Sequence, residues 1–170
     1  MHPVKKAVCE EILNLLNATD STIRKDTVTS LRRPRYFYSR AERAQIDYFI
    51  DKNDEYLLRL VDSLCLLITD ISPEVQKATL KTLTVLKRYR KVNKVLELKR
   101  AEIVNSIMEL LREKEIEEEV FIAAAKLLST YKAVESRNAL EEALVKFKEK
   151  NDPDCLKAVR TVTKILKSLH

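Results

Sequence analysis

Glycine is missing altogether from these 170 residues, where ordinary usage near 7% would supply about 12. Glycine is the residue that takes positive φ without penalty, as in two-residue hairpins, phosphate-cradling loops and strained catalytic elbows. Its absence excludes Gly-dependent nucleotide sites and most tight β-hairpins. Tryptophan is absent too, and there are only two histidines, His2 and His170. They stand at opposite ends of the sequence, so Cys65 and Cys155 have no histidine nearby in sequence to act as a base, and Cys9 has only the terminal His2. Sequence distance leaves a pairing in space open, and no His/Cys/Asp cluster has metal-ligand spacing. Cysteine is scarce: Cys9, Cys65 and Cys155 are odd in number and widely spaced. That argues for buried thiols in a reducing compartment and against a disulfide framework or a zinc site. No apolar run approaches the roughly 18 residues of a membrane span, and the first residues carry no signal-peptide pattern. The expectation is a cytoplasmic, non-catalytic protein with no cofactor and no small-molecule substrate.

What is present is helix-forming. Apolar residues make up 45% and charged residues 34%, a balance that reads as helical and heavily solvated. Val4, Ala7, Val8, Ile12, Leu15 and Leu16 form a stripe of 3.6-residue period behind Pro3. Asp20 and Ser21 are positioned to cap a second helix carrying Ile23, Val28 and Leu31, which must end before Pro34. An extra helix is expected near 39–51. Tyr56–Thr69 follows, then Pro73 to about Lys91, Val95 to Arg112, a helix opened by Glu117, Glu118 and Glu119, and two more near Glu135–Lys148 and Asp152–Leu169. No segment alternates with period two. The fold class expected is all-α.

Four of these helices start alike, with a polar or acidic cap, an apolar anchor, and small or apolar residues at helical spacing beyond it. The anchors are Ile23, Val75, Val120 and Cys155, and each such helix follows a partner with its own apolar stripe. A helical hairpin of this size cannot bury its apolar face alone, so neighbours must stack. Approximate hairpins are 3–33, 54–91, 95–131 and 135–169, in one domain spanning 1–170. The segments ISPEVQKATLKTLTVL (71–86), NDPDCLKAVRTVTKIL (151–166), EEEVFIAAAKLL (117–128) and STIRKDTVTSL (21–31) resemble the second helix of the HEAT repeat, V-R-x-x-A-x-x-x-L. The arginine usual after the anchor occurs once, as Arg24, and the anchor spacing is irregular. The resemblance implies a right-handed α-solenoid with the second helices lining its concave side. An irregular helical bundle is the competing architecture.

Charge is unevenly spread. Nine basic residues and one acid lie between Gln76 and Arg100; Lys77, Lys81, Lys87, Arg88, Arg90, Lys91 and Lys94 are the candidates for contact with a partner. A second cluster, Arg32, Arg33, Arg35 and Arg40, is interleaved with Tyr36 and Tyr38, and arginine forks with aromatic rings suit phosphates and unpaired bases. Three explanations stand side by side: cations favoured at helix C-termini, an acidic protein surface, or a nucleic-acid backbone. The function expected is a binding scaffold whose partner is another protein. Nucleic-acid binding through 32–43 and 76–100 is the alternative.

Overall fold

A computed structural model describes residues 3–32, 49, 54–113, 115–150 and 153–169. Among them are nine α-helices: α1 (Pro3–Leu16), α2 (Ser21–Leu31), α3 (Asp54–Leu66), α4 (Pro73–Leu86), α5 (Arg90–Leu98), α6 (Arg100–Arg112), α7 (Glu118–Thr130), α8 (Arg137–Glu149) and α9 (Pro153–Ser168). No strand occurs among the described residues. The starts have local causes. The Asp20 carboxylate accepts hydrogen bonds from the Thr22 and Ile23 amides, at 2.7 and 3.4 Å, and so caps α2. Pro73 opens α4 from an extended Ser72, where the missing N–H is not needed. Glu118 and Glu119 sit in the first turn of α7, where negative charge suits the helix dipole.

The helices stack in two layers. In one, α2, α4, α7 and α9 pack on each other in chain order; in the other, α1, α3, α6 and α8 do the same. Hairpins α1–α2, α6–α7 and α8–α9 join the layers directly, and the second hairpin does so through the 3-10 turn Leu67–Thr69, packed on α3, α4 and α6. One continuous core runs between the layers, from Cys9 and Leu16 through Leu60, Leu83 and Val120 to Leu144 and Val162. Phe121 of α7 and Phe147 of α8 stack within it, centroids 4.5 Å apart. This order of neighbours is that of an α-solenoid of four hairpins.

Hydrophilic ties cross between hairpins as well. Arg24 is buried in α2, and its Nε and Nη2 each donate at 2.8 Å to the Asp70 carboxylate in the turn before α4. Its Nη1 donates to the carbonyls of Ala18 and Thr19. The residue that the repeat pattern places after the anchor thus fastens the first hairpin to the second. Thr82 of α4 adds a hydroxyl donation to the Val28 carbonyl at 3.1 Å.

Several expectations need correction. Of the anchors, Val75, Val120 and Cys155 are buried, but Ile23 is 41% exposed. Among the described residues α2 has a neighbour in its layer on one side only, so the face that covers Val75 in α4 is open at Ile23. Val159 of α9 is half-buried for the same reason. The helix expected to run from Pro73 to about Lys91 ends at Leu86, and the one expected over 95–112 is two helices, α5 and α6, that meet at Lys99. Ending α4 early lets α5 turn Val92, Val95 and Leu96 inward on to α3 and α6. The extra helix expected at 39–51 lies outside the described residues except for Phe49, which is helical and buried.

One turn shows how a glycine-free chain ends a helix. After α7, Lys132 takes φ 50°. Its amide donates to the Ser129 carbonyl and that of Ala133 to the Leu128 carbonyl, both at 3.0 Å. That is the paired C-terminal closure that glycine normally serves.

Candidate functional site

The basic stretch 76–100 does not form one surface. Lys77 of α4 is paired with Glu119 of α7. Lys87 is mostly buried; its ammonium lies 2.9 Å from Glu97 and 3.5 Å from the centre of the Tyr131 ring, tying the second hairpin to the third. Lys99 bridges Asp62 and Glu102 at 2.7 and 2.9 Å, and those bonds raise its pKa above the ordinary lysine value. Arg100 meets Glu135 at 2.6 Å. Four of the nine cations therefore hold helices together. Arg88, Arg90, Lys91 and Lys94 are exposed where α4 gives way to α5. Of the second cluster, Arg32 is half-buried at the end of α2, while Arg33, Arg35, Tyr36, Tyr38 and Arg40 lie outside the described residues.

The structure brings together a different set. A cleft of about 270 Å³ lies on the outside of the second-helix layer, where α2, α4 and α7 meet. Arg32, Lys81 and Lys126 stand around it, and among the described residues Thr84, Val85, Ile122 and Ala123 supply its other walls. Among the described residues no carboxylate lines it, and none lies within ion-pair distance of those three cations. Burial pulls the Arg32 guanidinium below its ordinary pKa, the sign of a cation short of solvent. Beside the cleft, Glu119 is held below the usual carboxylate range, first by its bond to Lys77 and then by the fields of Lys77, Lys81 and Lys157. Cations of α4 and α9 thus flank the acid of α7, and α9 leaves Lys157, Arg160, Lys164 and Lys167 exposed.

Sequence reasoning picked out Arg32 and Lys81 but missed Lys126, and with it the site. Lys126 stands alone in an apolar helix and belongs to no charge cluster. A signal existed: Lys81 and Lys126 are 45 residues apart, the distance between the anchors Val75 and Val120, so they occupy the same place in successive repeats.

A larger hollow, about 560 Å³, opens at the hairpin turns between Pro73, Ile116, Phe147 and Cys155, with Glu115, Glu117 and Glu118 on its rim. Its acids cluster around the start of α7, where the helix dipole accounts for them. No helix among the described residues is long and apolar enough to cross a membrane.

The class defined by this packing is the helical-repeat proteins with an all-α solenoid architecture. No protein-family model matches the chain, and no curated protein does. Among solved structures, an engineered protein aligns over 97% of this chain and 68% of its own, at 19% identity and a TM-score of 0.48. A designed armadillo repeat protein in complex with the peptide (KR)4 aligns over 98% and 70%, at 18% identity and a TM-score of 0.49.

Proposed function

We propose that this chain is a non-catalytic, HEAT-like scaffold that binds other proteins along the exposed face of α2, α4, α7 and α9. The observation that carries the reading is the cleft at Arg32, Lys81 and Lys126, three cations around aliphatic walls with no ion-pair partner among the described residues. Four other basic side chains join helices, Lys77, Lys87, Lys99 and Arg100. Leaving the three at the cleft unneutralised beside apolar surface does nothing for folding and suits a partner. A solenoid presents such a face as a continuous surface. The HEAT-like assignment is supported by Arg24, whose place in the repeat pattern coincides with a buried tie between hairpins. A cytoplasmic setting agrees with three cysteines held as buried thiols.

Selection of displayed random peptides on the wild type, followed by comparison with a Lys81→Glu/Lys126→Glu protein, tests the reading. A control variant carries Glu142→Lys on α8, in the other layer. Peptides that bind the wild type and the α8 variant but not the double variant are the expected result. Failure to enrich any peptide that depends on the second-helix face would overturn it, and salt-sensitive binding to oligonucleotides alone would transfer the face to nucleic acid.

A further inference from the structure

The cleft has a size, a lining and a charge, and together they define an occupant more narrowly than a protein surface in general. At about 270 Å³ it falls below the roughly 300–1,000 Å³ of ligand pockets, so it suits a single side chain better than a free cofactor. Among the described residues its walls are aliphatic and hydroxyl-bearing, from Thr84, Val85, Ile122 and Ala123, with no aromatic ring among them. Stacked bases are served best by aromatic rings, and Arg32 supplies the one guanidinium plane among the described lining residues, whereas an aliphatic wall suits an aliphatic side chain. The cations stand apart on three helices, Arg32 after α2, Lys81 on α4 and Lys126 on α7. Next to them Glu119 interrupts the positive face and holds Lys77. An evenly charged phosphate backbone would meet that carboxylate, while a peptide can place its acids on either side of it.

Resting on the reading of this layer as a partner-binding face, we infer that the cleft receives one aliphatic side chain of an acidic peptide segment, whose flanking carboxylates pair with Arg32, Lys81 and Lys126. The apolar contact fixes the position of the segment and the three cations select its charge. Carboxylates facing cations at the rim of such a contact favour encounter and specificity.

The test uses fluorescein-labelled peptides of twelve residues, drawn from Glu, Asp and Ser, with one leucine at the centre. Matched peptides carry serine there, a third set has Lys in place of the acids, and a twelve-nucleotide oligo(dT) is the polyanion control. Binding is followed by fluorescence anisotropy on the full chain. The acidic leucine peptides are expected to bind, and to do so about tenfold or more tightly than their serine counterparts. Lys81→Glu/Lys126→Glu is expected to weaken them by a similar factor. Val85→Lys separates the two parts of the contact: it adds positive charge while filling the aliphatic wall, so it weakens the leucine peptides and leaves the serine peptides unchanged or tighter. Thr84→Lys serves the same purpose if Val85→Lys shifts the melting temperature. Equal binding of leucine and serine peptides, or oligo(dT) binding tighter than the leucine peptides, overturns the inference. Should displayed peptides bind the face but prove basic or neutral, the inference falls and the scaffold reading stands. No face-dependent binding of any peptide removes both.

Discussion

Lys132 holds a conformation in which its Cβ crowds the following carbonyl, at a cost of about 1–2 kcal/mol for a non-glycine residue, because the C-terminal closure of α7 leaves no alternative. Lys132→Gly removes that strain and gives part of the gain back as unfolded-chain entropy. The expected outcome is stabilisation of about 0.5–1 kcal/mol, read as a small rise in the thermal midpoint; a fall would mean that the lysine side chain contributes something the turn geometry does not. Arg24 behaves in the opposite way. Its guanidinium satisfies Asp70 and two carbonyls in a buried position, so Arg24→Ala takes that donor from both carbonyls and leaves the Asp70 carboxylate with the Ser72 amide alone of the donors described. A loss of about 1.5–3 kcal/mol is expected. Lysine should not restore it, because one ammonium cannot reproduce the fork. Chemical denaturation of the three proteins checks both statements. Burial also pushes the Cys65 thiol up to about 12, aided by the carboxylates of Glu102 and Asp62, so at neutral pH it stays protonated and packs as an apolar side chain.

At the scale of the element, α1 is joined to α3 by Glu10, whose carboxylate accepts from Arg59 Nη1 and Nη2 at 2.8 and 2.9 Å and from the Tyr56 hydroxyl at 2.8 Å. The Arg59 bonds, then the Tyr56 bond, lower its pKa from 4.5 to about 2. A carboxylate with a depressed folded pKa stabilises above its unfolded value and loses that contribution as pH falls through the folded one. Wild type is therefore expected to be more stable than Glu10→Gln at pH 6, with the difference shrinking between pH 4.5 and 2. Urea titrations at several pH values would show it, and a constant difference would refute it. The helices themselves were largely legible in the sequence, since the anchors Val75 and Val120 report a buried face through periodicity alone. The break at Lys99 was not. Val92, Leu96, Ile103 and Ile107 continue one helical stripe across it, so periodicity cannot register a single residue leaving the helix at φ −94°, ψ 8°. For the candidate site, linear charge density pointed to 76–100. What assembles the cleft is the stacking of repeats, which brings Lys126 beside Lys81 and draws Lys77 and Lys87 into ion pairs.

At the scale of the whole molecule, α4 and α7 each have a neighbour on both sides within their layer, while among the described residues α2 and α9 have one. Stability in such an array is a sum of hairpin terms and nearest-neighbour interfaces, so opening should be graded. Native-state hydrogen exchange is expected to be slowest in α4 and α7 and faster in α1 and α9; equal protection throughout would mean that the four hairpins open as a block. The same neighbour-to-neighbour packing has a mechanical consequence. Pulled along the stacking direction, the described residues show no extensive packing between first and last hairpins to resist, and a small rotation at each of the three interfaces adds to the next. It should behave as a short spring, lengthening by shear between hairpins before any helix unwinds. The cleft between α2, α4 and α7 straddles two of those interfaces, so its width would follow the tension on the chain.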